Sequence, residues 1–260
     1  MTVALIYHDV APRSGQDRSG FPGPVAARYK LEPERFEAHL DAIAAAGAAV
    51  GLIGDRPPVA LTFDDGGASA CNAAQALERR GWRGHFFITT GRIGTPGFLD
   101  ASQIRELADR GHLVGSHSHS HPTYMGALGP AEVAREWRFS REALGDILAG
   151  PPDCAAVPGG FLSRAVIAEA GRAGYRLLLT SQPTVRPRLH DGLCVQGRFT
   201  IWAATTPRRA AAYARGDRLA LASLWLAWQA KGAPKRISPA AYEALRRRWA
   251  GASGRPSAEG

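Results

Sequence analysis

Apolar residues fall along this chain in short runs, separated by stretches with the three-to-four-residue spacing of amphipathic helices. Val3 to Tyr7 is the first run and reads as a buried strand whose end carries His8 and Asp9. Residues 11–29 are rich in Pro, Gly, Arg and Ser and predict a long irregular loop, of the kind that covers sites. From Glu32 to Ala46 the pattern predicts a helix: Pro33 suits a first turn, Phe36, Leu40 and Ile43 share a face, and Gly47 ends it. Val59 to Phe63 is a second strand, stopping at Asp64-Asp65-Gly66-Gly67. A helix from about Ala70 to Arg80 leads to a third strand, His85 to Ile88.

The alternation continues. Ser102 to Arg110 is expected to be a helix with a Ser cap, ended by Gly111, and Leu113-Val114 begins a strand that runs into a histidine cluster. Further helices are expected over Pro130–Leu148 and Ser163–Ala173, with strands over Ala155–Val157 and Tyr175–Leu179. His190 falls in an Arg/Pro-rich loop. Repeated strand–helix units of this length mean an α/β domain with a parallel sheet, open or closed into a barrel. The polar segments sit just after strands, where such sheets place their active sites.

A length of 260 residues suits one large domain with a single core. We expect that domain over residues 1–250, with 215–250 as a C-terminal helical extension and 251–260 as a disordered polar tail. Within the extension, Leu221, Leu224, Trp225 and Trp228 share a helical face, flanked by Arg215, Arg218, Lys231, Lys235 and Arg236. Such a helix either packs on the domain or lies on an anionic membrane surface. The net charge of +9 points the same way, toward an anionic glycan, a phosphorylated carrier or a membrane. No basic stripe is interleaved with aromatics, so nucleic acid is not expected as a partner. Three widely spaced cysteines, Cys71, Cys154 and Cys194, do not make a disulfide framework and fit a reducing compartment. The first residues lack the basic region and apolar core of a secretory signal, so the expected location is cytoplasmic.

Two segments carry the chemistry: Thr62-Phe63-Asp64-Asp65-Gly66 and His117-Ser118-His119-Ser120-His121-Pro122. Adjacent carboxylates in a strand point to opposite faces. Where the strand breaks into a Gly-rich turn, both can face one pocket, and Gly66 and Gly67 permit the backbone this needs. A cation beside two such carboxylates relieves their repulsion. His117 and His121 lie at i, i+4, which brings both imidazoles to one side of a helical turn or lets them converge in a tight loop closed by Pro122. His119 would point elsewhere, toward solvent or a supporting carboxylate. One carboxylate and two imidazoles with an open position make a catalytic zinc-type site, which Co²⁺ or Ni²⁺ would also fit.

With these motifs the chain resembles the polysaccharide deacetylase family, the NodB-like domains of carbohydrate esterase family 4. Val59 to Gly66 is similar to the family's first motif and Gly115 to Pro122 to its second. The likeness runs from Leu5-Ile6-Tyr7-His8, an entry strand of one subgroup, to Gly174-Tyr175 and Thr180. The resemblance implies a distorted, incomplete (β/α)7-type barrel. It implies Asp65, His117 and His121 as metal ligands, Asp64 as general base, and the N–H of Gly159, in Pro158-Gly159-Gly160, as oxyanion donor. Two features depart from the family. Ala156 stands where many members carry the Arg that positions the base, so that Arg is either absent or supplied from elsewhere, by Arg164 or Arg198. The late Leu-x-His motif that supplies the acid is missing. His8, ending the first strand, then becomes the candidate acid, with His190 as the other; His39, His85 and His112 read as structural or exposed.

The resulting expectation is a metal-dependent hydrolase that removes N-acetyl groups from an amino-sugar glycan or its precursor, lipid-linked or anionic. Two alternatives stay open: hydrolysis of another non-peptide C–N amide bond, and a glycan-binding pseudoenzyme.

Overall fold

The computed structural model describes residues 1–160 and 162–237, with side chains as far as residue 230. The chain alternates strands and helices: β1 (Val3–Tyr7), α1 (Pro24–Ala27), α2 (Pro33–Ala45), β2 (Val59–Phe63), α3 (Ala70–Glu78), β3 (His85–Ile88), α4 (Ala101–Asp109), β4 (Leu113–Ser116) and α5 (Pro130–Ile147). There follow β5 (Cys154–Ala156), α6 (Arg164–Arg172), β6 (Leu177–Thr180), β7 (Arg188–His190), β8 (Leu193–Gly197), β9 (Phe199–Thr200), α7 (Pro207–Ala214) and α8 (Arg218–Ile237). The strands form one nine-stranded sheet in the order β7-β8-β6-β5-β4-β3-β2-β1-β9. Every neighbour pair is parallel except β7 with β8. It is the curled sheet of a distorted, incomplete α/β barrel.

The seam of this barrel is unusual. Residues 193–197 pair with β6, and residues 199–200 pair with β1, although only Arg198 separates them. One nearly continuous stretch therefore touches both ends of the curl, and Arg198 sits at the crossing. Two consecutive residues with positive φ, Asp191 (47°) and Gly192 (86°), form the tight turn between β7 and β8.

All five residues of β1 and of β2 are buried, as expected of strands covered on both faces. Their aromatics pack in a row on the helix side: Tyr7 lies edge-on to Phe36 at 5.3 Å, and Phe63 stacks on Phe86 at 4.8 Å. Trp137 of α5 is fully buried and donates from Nε1 to the Val166 carbonyl at 3.2 Å, tying α5 to α6.

Most predicted elements recur within a residue or two. The α4 cap differs: Asp100, not Ser102, accepts from the Gln103 N–H in a reciprocal capping box. The last predicted strand starts at Leu177 rather than Tyr175, whose ring packs against Trp137. His190 is the last residue of a strand, not part of a loop. Leu221 and Leu224 of α8 pack against the core, whereas Trp225 is exposed, so the predicted face is only partly covered. The expected extension beyond residue 237 and the tail 251–260 lie outside the described residues. Among the described residues, no helix is long and apolar enough to cross a membrane, and the three cysteines are free.

Candidate metal and catalytic site

Parallel register places the site. Tyr7 pairs with Phe63, and the Asp64 N–H continues that ladder to the Tyr7 carbonyl at 3.0 Å, so His8 and Asp64 leave adjacent strands side by side. Ile88 pairs with Ser116, and the His117 N–H continues to the Ile88 carbonyl at 2.8 Å. The residues that follow β1, β2 and β4 thus gather at one end of the barrel, the carboxyl end of its strands.

Local backbone then aims them. Asp65 has φ 78°, Ser118 φ 64° and His121 φ 59°, three non-glycine residues held in the left-handed region. Each such conformation costs on the order of 1–3 kcal/mol and persists only where its surroundings enforce it. Gly66 shares this geometry at φ 78°. Gly67 serves another purpose: a Cβ there would lie 2.0 Å from an Asp9 carboxylate oxygen. The His117–His121 segment is a loop, not a helical turn.

In this arrangement Asp65 Oδ1 lies 3.4 Å from His117 Nε2 and 3.3 Å from His121 Nε2. One donor atom from each of the three residues falls within 4.8 Å of the others. Two ligands about 2.0–2.1 Å from one tetrahedral ion stand roughly 3.3 Å apart, so the donor set fits a divalent metal of the zinc type. His117 is oriented for this role: its Nδ1 lies 2.9 Å from the Ala156 carbonyl, which fixes the proton there and leaves Nε2 with its lone pair. His119 turns away, its Nδ1 hydrogen-bonded with the Thr90 hydroxyl at 3.0 Å.

Asp64 faces a different partner. Arg198, fully buried, donates to Oδ1 at 2.7 Å and to Oδ2 at 2.8 Å, a bidentate fork. The same guanidinium donates to the Thr62 hydroxyl at 2.9 Å and lies 5.5 Å over the Phe87 ring. Burial alone would raise the Asp64 pKa; the charges of Arg198, His117 and His8 outweigh it and hold the carboxyl below its ordinary value. Asp65 is likewise raised by burial but held well below its ordinary value by the imidazoles of His117 and His121, which donate to it when they are protonated in the metal-free site. His117 is depressed by burial and raised, on balance, by Asp64 and Asp65. Arg164, the other candidate to support the base, is exposed at the start of α6.

The remaining candidates divide. His8 is half-buried beside Asp64, with Nδ1 buried and without a hydrogen-bond partner among the described residues, and its ring lies 4.8 Å from Tyr29. His190 pairs with Leu193, the first residue of β8, and so lies at the opposite, amino end of the strands. Gly159 follows β5 with φ 63° and is exposed. His39, His85 and His112 are buried and bonded to Thr205, Leu61 and Glu78, as structural histidines are.

Two features lay beyond the sequence reading. Phe21, from the 11–29 loop, packs its ring 4.6 Å from that of His121. That loop is fastened from beneath by buried Lys30, which donates to the carbonyls of Gln16, Ser19 and Phe21 at 2.5–2.7 Å. Nothing in a lone lysine within a polar loop signals such burial.

Residues 53–178, which hold both motifs, match the polysaccharide deacetylase family model. Over these residues the chain is similar to the polysaccharide deacetylases. A Bacillus subtilis (strain 168) protein named for this family, YxkH, is 24% identical over 197 residues, covering 71% of this chain and 66% of its own length. The chain thus spans just under two thirds of that relative. Among solved structures, a polysaccharide deacetylase from Bacillus cereus superposes with a TM-score of 0.69 at 22% identity, covering 82% of this chain and 68% of that one. IcaB from Ammonifex degensii gives 0.66 at 22%, covering 82% and 97%. The Streptococcus pyogenes deacetylase PplD, solved with acetate, gives 0.64 at 21%, covering 79% and 94%. These likenesses establish the fold.

Proposed function

We propose that this protein is a metal-dependent hydrolase that removes N-acetyl groups from an amino-sugar glycan or a glycan precursor. The observation that carries this reading is the meeting of Asp65, His117 and His121 beside the Asp64–Arg198 pair at one barrel mouth. The family match supports the reaction class. Asp65, His117 and His121 would hold the ion, with Zn²⁺ best suited to one carboxylate and two imidazoles and Co²⁺ or Ni²⁺ also accommodated. When bound, such an ion lowers the pKa of water toward ~7 and polarises a carbonyl oxygen.

The chain's own groups supply the rest. Asp64 is the general base, taking a proton from the attacking water. Its fork to Arg198 replaces the family arginine that Ala156 lacks and keeps the carboxylate ionised and fixed. The Gly159 N–H donates to the oxygen that gains charge as the acetyl carbonyl becomes tetrahedral. His8 gives a proton to the departing amine, which leaves poorly as an anion. Its place beside Asp64 and its unpartnered Nδ1 support this role. The substrate is an N-acetylated amino sugar in a glycan or a lipid-carried biosynthetic intermediate.

The test is acetate release from a panel of N-acetylated hexosamine oligosaccharides and of simple non-sugar acetamides. Turnover confined to the sugars is the expected result. Turnover confined to the simple amides would replace the substrate class, and glycan binding without turnover on any of them would overturn the enzyme.

A further inference from the structure

The histidine loop has an internal support that neither motif contains. Four consecutive backbone N–H groups, from Ser118 to His121, all donate to side-chain oxygens. Ser118 donates to Ser116 Oγ at 3.0 Å and His121 to Ser118 Oγ at 3.1 Å. The middle two converge on one carboxylate from helix α5: the N–H groups of His119 and Ser120 donate to Glu136 Oε2 at 2.9 and 2.8 Å. The Ser120 hydroxyl donates to Glu136 Oε1 at 2.6 Å. On the other side, the N–H groups of Thr90 and Gly91 donate to the Ser118 and His119 carbonyls at 3.2 and 2.8 Å.

We infer that Glu136 is a positioning residue for the metal site, fixing the loop that separates His117 from His121. Two of the loop's residues, Ser118 and His121, hold positive φ, a conformation that reverts unless its surroundings enforce it. His117 is set independently, by the β-ladder and by the Ala156 carbonyl. His121 lies beyond the strand and depends on the path through residues 118–120. Glu136 satisfies two of the three N–H groups on that path from a rigid 18-residue helix. A charged acceptor taking several N–H groups forms bonds roughly twice as strong as neutral ones. Without it, His121 Nε2 no longer meets Asp65 Oδ1 at a fixed distance, and the third ligand loosens.

This inference rests on the proposed metal site, and the experiment separates the two. Zn²⁺ affinity of the metal-stripped full chain is measured by competition with a chromogenic chelator, for wild type, Glu136→Ala, Glu136→Asp and Glu142→Ala, with thermal unfolding of each as a fold check. Glu142 is an exposed residue of the same helix. Glu136→Ala is expected to weaken Zn²⁺ binding by about 10–100-fold, as removal of a ligand's support does. Glu136→Asp, which keeps the charge but withdraws the carboxylate by one methylene, should lose affinity in the same direction, and it decides the matter if the alanine variant does not fold. Glu142→Ala should bind as wild type. Folded Glu136→Ala and Glu136→Asp proteins that bind Zn²⁺ within twofold of wild type would overturn the inference and leave the metal site standing. A wild type that binds no Zn²⁺ would overturn the site and the inference with it.

Discussion

Asp64 and Asp65 are neighbours in sequence and are held by opposite means. Asp65 meets two imidazoles that share one short loop, so its side of the site comes from two local segments joined by parallel β-pairing. Asp64 meets a guanidinium 134 residues away, at the seam where the barrel curls on itself. The first side gathers donors that a cation would link; the second neutralises a carboxylate with a fixed, fully buried charge. Two adjacent acids therefore need not compete for one ion. The structure sets Asp65 against two imidazoles and Asp64 against an arginine, and in the proposed site that division would let one be a ligand and the other a base.

Substitutions can break the two sides separately. The largest effect is expected on the metal side: His117→Ala should abolish both bound metal, by elemental analysis, and acetate release. Next, His8→Gln should lower kcat by about 10²–10⁴-fold, the usual contribution of a general acid, while metal content stays at wild-type level. On the arginine side, Arg198→Met leaves a buried carboxylate without its partner. Denaturant titration should show a loss of about 3–5 kcal/mol. Activity should fall by about 10²-fold, as for a misplaced catalytic group, again with metal retained.

The pH dependence sharpens the same contrast. Asp64 is held below its ordinary value, so the stability it contributes is complete above about pH 4 and is lost as pH falls through the depressed value. In Arg198→Met the burial remains and the opposing charge is gone. The acid limb of the kcat/KM profile should then move up by about one unit or more. An unmoved limb would show that Arg198 does not govern the base. The smallest effect belongs to the covering loop: Phe21→Ala removes a ring packed on His121 and should change KM by a few-fold with metal content unchanged.

The same contrast explains what was legible in the chain. Asp64, Asp65 and His117 directly follow short, largely apolar strands and His121 closes the loop after one of them, so period and punctuation locate them. His8 was legible for the same reason, ending a five-residue buried strand. Arg198 could be offered from sequence only as one of two replacements. The stretch around it reads poorly because Gln196 and Arg198 are polar and yet buried, which defeats a rule that sends polar side chains outward. A usable signal was nonetheless there: Asp191-Gly192 marks a two-residue hairpin and would have revealed β7 and β8. Glu136 and Lys30 left no such mark, since each acts on backbone groups brought near only by folding.

The most direct test sets the neighbouring carboxylates side by side. Metal content and acetate release are measured for Asp64→Asn and Asp65→Asn prepared identically. Asp65→Asn should lose both, and Asp64→Asn should keep its metal and lose turnover. An Asp64→Asn protein that turns over normally, or an Asp65→Asn protein that retains stoichiometric metal, would contradict the division of labour between them.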